Sequence, residues 1–147
     1  MGNSISLLIG GDFVPQARVA DLLNQGNFKQ VFDDVRLVTA NADYSICNLE
    51  APIPTSAECQ AIAKAGPNLK TNLTAIDALK YAGFNAVTLA NNHLRDYGDM
   101  GVSDTLFHLT RNGIDTVGAG LDINEAKIIK YKKLGGGISV YYKLLRT

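Results

Sequence analysis

The sequence has no tryptophan, only two cysteines, two histidines and four prolines in 147 residues. Cys47 and Cys59 lack the paired spacing of a structural zinc site, and two cysteines do not make a disulfide framework. Cys47, inside an apolar run, reads as a buried thiol. No excess of charge of one sign exists: 14 Lys and Arg balance 14 Asp and Glu. That balance removes the electrostatic basis for nucleic acid or an anionic membrane as principal partner. The local exception is Lys127, Lys130, Lys132, Lys133, Lys143 and Arg146, which reads as a solvated face. A run of about 18 apolar residues is also lacking, so no transmembrane segment is expected. Without a charged n-region and a long apolar h-region, no signal peptide is expected, and the cytoplasm is the expected compartment. Met1-Gly2-Asn3-Ser4-Ile5-Ser6 fits the loose myristoylation pattern. The same residues begin an apolar strand, and the strand reading is preferred.

What is present is a globular composition, 46% hydrophobic and 19% charged, long enough for one domain with a substantial core. Apolar strand-like runs alternate with helical patterns, the signature of a layered α/β sheet flanked by helices. Ile5 to Ile9 reads as strand one, followed by a Gly10-Gly11-Asp12 turn. Pro15 opens a helix with Val19, Leu22 and Leu23 on one face, and a short helical stretch covers Phe28 to Phe32. Ser45 to Leu49 is strand two, ending at Glu50 before Pro52 and Pro54. The long irregular segment from Ala51 to Lys70 has the size of a functional loop. Asn72 caps a helix carrying Ala75, Ile76, Leu79 and Ala82, stopped by Gly83. Ala86 to Ala90 is strand three, and Asp99 to Arg111 a helix with Val102, Leu106 and Leu109 inward. A short strand from Ile114 to Val117, a helix near Ile123 to Ile129 and a fifth strand from Ile138 to Tyr142 complete the pattern. No linker composition interrupts residues 1–147, so a single domain is expected.

Three strand ends carry the chemistry. Asp12 follows the first, Glu50 the second, and Asn91-Asn92-His93 the third, where an α/β protein collects ligand-binding groups. Glu50 could bridge two cations, Asp12 could bind one, and the Asn92 carbonyl oxygen the other. His93 would stand beside them to steady an oxyanion or protonate a leaving oxygen. Taken singly, each has a plainer meaning. An Asp after Gly-Gly is usually a turn or cap residue, Glu50 can simply leave the sheet for solvent, and His93 can be a hydrogen-bonded structural histidine. Gly118-Ala119-Gly120 does not make a dinucleotide-binding turn, because Ile123 stands where the third glycine belongs.

Gly11-Asp12, Asn48-Leu49-Glu50 and Asn91-Asn92-His93-Leu94-Arg95-Asp96-Tyr97-Gly98 resemble, in order, the motifs of the bacterial CapA family. That family is named for capsule and poly-γ-glutamate biosynthesis and belongs to the calcineurin-like metallophosphatase superfamily. The likeness runs from about Ile5 to Ala126, and its specific part is the Asn-Leu-Glu and Asn-Asn-His pair. The resemblance implies a metallophosphatase-like sheet and metal-dependent phosphoester hydrolysis with one or two divalent ions, Mn, Fe or Zn. It implies metal ligation by Asp12, Glu50 and Asn92, with His93 catalytic. Arg18 matches a basic residue after the Gly-Asp motif and is a candidate anion contact. Asp96, by proximity, would orient His93 or close the turn. A phosphorylated small molecule or a polyanionic polymer is the implied partner, and cell-envelope association the implied alternative to a cytoplasmic location.

Two departures limit the resemblance. The first phosphatase motif commonly has a His two residues after its Asp, where this chain has Val14. The superfamily's later His-bearing motifs have no counterpart, since His108 lies mid-helix in Phe107-His108-Leu109. The chain is therefore expected to cover roughly the N-terminal half or more of such a domain, incomplete relative to a full four-layer αββα arrangement. Two functions follow as expectations: a CapA-like phosphoesterase, weak or inactive as this chain alone, or a non-catalytic remnant or binding module of the same fold.

Overall fold

The computed structural model describes residues 4–134 and 139–142. Gly2 of the acylation pattern, the glycine run at 135–137, Lys143 and Arg146 lie outside the described residues. Four strands, β1 (Leu7–Phe13), β2 (Tyr44–Leu49), β3 (Ala86–Thr88) and β4 (Asp115–Val117), form one parallel sheet in the order β1-β2-β3-β4. Between them run α1 (Ala17–Asn24) and α2 (Phe28–Thr39), then α3 (Thr74–Ala82), then α4 (Gly98–Arg111). The helix α5 (Ile123–Ala126) and an antiparallel pair, β5 (Lys130–Lys133) and β6 (Ser139–Tyr142), follow.

This order decides which face of the sheet is covered. Parallel crossovers are right-handed, and here each one steps in the same direction across the sheet, which puts the connecting helices on one side. The packing agrees. Cys47, Leu49 and Val87 of the sheet pack with Ile76 and Leu79 of α3 and Val102 and Leu109 of α4. A second cluster joins Leu23 of α1, Phe32 of α2 and Ala78 and Ala82 of α3, with Phe13 against it. The opposite face carries Tyr44, Ile46, Ala86 and Val117, and Leu134 is the partly buried hydrophobic residue packed on it. Lys132 reaches that face too, 3.1 Å from Asp115 and over the Tyr44 ring. On β1 the same face leaves Leu7 and Ile9 exposed, Ile9 by 75%.

Several sequence expectations need correction. Gly10, Gly11 and Asp12 are not a turn but part of β1, which begins at Leu7 and runs to Phe13. Ile9 pairs with Ile46 and Asp12 with Asn48, so β1 takes one residue more than β2 over this stretch. Such a bulge re-aims the next side chain. Without it, Gly11 would share a face with Ile46 and Asn48; with it, Asp12 does.

The helix after Pro15 starts at Ala17, and the stretch from Phe28 continues to Thr39. Strand three stops at Thr88, and the helix near Ile123 ends at Ala126, leaving Ile128 and Ile129 exposed. The last strand does not join the main sheet but pairs with β5, a strand the periodicity did not mark. The cap before α3 is as expected: Asn72 Oδ1 accepts from the Thr74 N–H at 3.0 Å, and Gly83 ends the helix in the left-handed region. No helix among the described residues is long and apolar enough to cross a membrane. Cys47 is buried, and burial pushes its thiol pKa up to about 12, which makes it inert.

Candidate functional site

The C-terminal ends of β1, β2 and β3 meet in one hydrogen-bonded row. Asn48 Nδ2 donates to Asp12 Oδ1 at 2.8 Å, and Asn48 Oδ1 accepts from Thr88 Oγ1 and Asn91 Nδ2, each at 3.1 Å. The carboxylate acceptor fixes which way the Asn48 amide faces. Asn91 is itself fully engaged. Its amide also donates to the Leu49 carbonyl at 2.8 Å, and its Oδ1 accepts from the His93 and Leu94 N–H groups at 3.0 Å. That closes an Asx-type turn, which leaves Asn92 exposed at its crest.

Glu50 leaves β2 half-buried, its own N–H donating to the Phe13 carbonyl at 3.1 Å, one residue beyond Asp12. Its carboxylate makes no hydrogen bond or ion pair among the described residues, and neither does the Asn92 amide. Asp12 uses one oxygen on Asn48, and its other has no protein partner among the described residues. The motif residues therefore divide. Asn48, Asn91 and Thr88 hold the row together, while Asp12, Glu50 and Asn92 keep oxygens uncommitted. Asn91 was marked by sequence reasoning as part of the third strand-end cluster but given no role, Asn48 only as part of its motif, and Thr88 not at all.

His93 and Asp96 form a second cluster at the far side of the turn. Asp96 is buried, its side chain 1% exposed, with His93 Nδ1 2.8 Å from its Oδ2. The Leu69 N–H donates to the same oxygen at 2.6 Å, and the Lys64 ammonium holds Oδ1. Lys64 Nζ also lies 3.3 Å from His93 Nδ1. Burial alone would raise the Asp96 carboxyl, but hydrogen bonds from Lys64, His93 and the Leu69 N–H outweigh it and hold it below its ordinary value. Sequence reasoning missed Lys64 altogether. It lies in the irregular segment after β2, with no local pattern to connect it to a residue 32 positions later.

That irregular segment is stapled at two carboxylates. Besides Asp96, Asp104 of α4 accepts from the Thr55 and Ser56 N–H groups at 2.7 and 2.8 Å and from the Thr55 hydroxyl at 2.9 Å. His108 Nε2 lies 3.0 Å from that same hydroxyl, so the second histidine belongs to this anchor rather than to the strand ends. Arg18 is exposed near the start of α1 and is in no ion pair among the described residues. Beside Asn91, a cleft of about 350 Å³ opens between Leu94, Val102 and the turn from Gly118 to Ile123. Gly120 in that turn is needed for close approach: a Cβ there would lie 2.6 Å from the Ala126 backbone nitrogen.

Among the described residues, no three His, Cys, Asp or Glu side chains are grouped to hold a metal ion. Any cation at the strand ends would rely on two carboxylates and an amide oxygen.

Residues 6–143 match the model of the bacterial capsule synthesis protein PGA_cap. The chain belongs to the PGA_cap family. Within this PGA_cap chain the matched span takes in the whole Asp12–Asn48–Asn91 row and the Lys64–Asp96–His93 cluster. The chain is 31% identical over 134 residues to the capsule biosynthesis protein CapA of Bacillus anthracis, covering 90% of this chain and 32% of that protein. It is 32% identical over 127 residues to the PGA biosynthesis protein CapA of Bacillus subtilis, covering 86% of this chain and 33% of the relative. The chain thus spans about a third of the length of these relatives.

Proposed function

We infer that this chain supplies the N-terminal part of a metal-dependent phosphoesterase site that serves capsule or poly-γ-glutamate biosynthesis. The observation that carries this reading is the division of the motif residues: Asn48 and Asn91 are spent on structure, while Asp12, Glu50 and Asn92 keep oxygens to offer. These donors fit a hard or borderline divalent cation, and an all-oxygen set favours manganese over zinc. Glu50 would bridge, with Asp12 and Asn92 on either side. When bound, such cations supply positive charge against a phosphate ester and acidify a water molecule.

The chain's own residues do the rest. The Asx turn of Asn91 presents Asn92, Asp96 orients His93, and the His93 ring faces the developing charge or the leaving oxygen. Arg18 is the candidate contact for an anionic substrate, a phosphorylated small molecule or a polyanionic polymer. Association with the cell envelope would suit the polymer-related family. A second reading, a binding module without catalysis, is favoured by the donor count. Among the described residues the strand ends offer too few ligands for two cations.

A chimera tests the first reading. In Bacillus subtilis, this chain replaces the matching third of CapA, and poly-γ-glutamate output is measured. Polymer production should be restored, and Asn92→Ala in the chimera should abolish it. Restoration that survives Asn92→Ala would favour the binding module.

A further inference from the structure

We propose that Lys64 is a positioning residue of this site, clamping Asp96 so that the His93 ring is held with Nδ1 inward as donor and Nε2 outward as acceptor. The inference rests on the phosphoesterase reading for its purpose, but not for its geometry. Asp96 has two carboxylate oxygens, and three donors share them. Lys64 takes Oδ1, while His93 Nδ1 and the Leu69 N–H take Oδ2. The Lys64 ammonium is donor-only and at 3.3 Å could pair only with a bare Nδ1. The ionised Asp96 carboxylate is acceptor-only and stands closer, at 2.8 Å, so the ammonium is left as a flank contact. The 2.8 Å contact to Asp96 is the one that requires a proton on Nδ1. The hydrogen bond made by one ring nitrogen sets the state of the other, and Nε2 has no protein partner among the described residues.

Asp96 alone would not hold this arrangement. Its carboxylate is almost wholly buried, and among the described residues only Lys64 brings it a permanent opposite charge. Lys64 is itself held in place by its loop. The Ile62 N–H donates to the Asp96 carbonyl at 2.9 Å, and the Asn68 amide donates to the Ile62 carbonyl at 2.9 Å. Sequence segments on either side of Lys64 thus grip the same turn that presents Asn92. With Lys64 gone, the carboxylate is free to swing or to take a proton, and the ring loses its single orientation.

Two-bond proton–nitrogen correlation spectra of the ¹⁵N-labelled chain, recorded above the range in which histidine titrates, read the tautomer directly. The wild type and Lys64→Arg should show His93 as a single Nδ1–H form. Lys64→Met should show a mixture that includes the Nε2–H form usual for free imidazole. His108, anchored elsewhere, should be unchanged in all three and reports that the fold is intact. A wild-type His93 in the Nε2–H form overturns the proposal, and this reading needs no variant to fold. A Lys64→Met spectrum with the wild-type tautomer overturns it too, and leaves the metal reading untouched. Failure to bind Mn²⁺ with the tautomer pattern as expected would instead remove the metal reading alone.

Discussion

Incubated with Mn²⁺ and a generic phosphate monoester, the chain by itself should turn over substrate no faster than its Asn92→Ala variant. Removing one preorganised donor from an active site costs about 10²–10³ in rate. This chain offers two carboxylates and an amide oxygen where two cations need further ligands. No group of three His, Cys, Asp or Glu exists among the described residues to make up the shortfall. His108, on α4, does not help, because its Nε2 is engaged with Thr55 of the irregular segment. The isolated chain should therefore fall roughly 10³-fold or more below a chimera completed with the remainder of a CapA chain. Robust, Asn92-dependent turnover by the isolated chain would contradict the donor count.

Replacing Asp96 with alanine should be the most damaging single change to stability in the site region. It strands the Lys64 ammonium, the Leu69 N–H and the His93 ring at once. Breaking a buried pair by removing one partner costs about 3–5 kcal/mol, a large share of the 5–15 kcal/mol typical of a domain. Urea unfolding followed by circular dichroism should show the midpoint falling accordingly, against a change within about 0.5 kcal/mol for the exposed Asp99→Ala.

The same carboxylate gives a pH signature. Asp96 and Asp104 are both held below their ordinary values in the folded chain. Their contribution is present above the unfolded carboxyl value near 3.8 and is lost as pH falls through the lower folded values. Wild-type stability should drop across that acid window. Asp96→Asn should start lower at neutral pH and lose less on acidification. An acid profile identical in the two proteins would show that Asp96 contributes nothing through its charge.

Much of this was legible in the sequence, for identifiable reasons. A buried parallel strand is an apolar run that ends abruptly, so Leu49-Glu50 announced itself, while the apolar run to Ala90 overshot the end of β3 at Thr88 by two residues. Gly83 and Asn72 marked the limits of α3 because the turn and the cap demand those residue types. Gly10-Gly11 misled, because two glycines suit a turn and a bulge equally. Only the pairing of Asp12 with Asn48 distinguishes them.

The length of α2 was hidden by Leu37 and Val38, 71% and 62% exposed, which blur the apolar stripe. The strand β5, Lys-Tyr-Lys-Lys, has no buried face, and its pairing with β6 rather than its pattern makes it a strand. Lys64 was illegible for a different reason. Its meaning lies wholly in a contact between a loop and a turn far apart in sequence, where no periodicity operates.

On the proposed reading, Asp12, Glu50 and Asn92 would form one incomplete cation site held by Asn48 and Asn91. Paramagnetic broadening of the amide spectrum during a Mn²⁺ titration tests it most directly. Signals of residues 12, 50 and 92 should broaden first and together, and Asp12→Asn should remove the effect. Broadening scattered over exposed acids such as Asp21, Asp34 and Glu58, or untouched by Asp12→Asn, would contradict it.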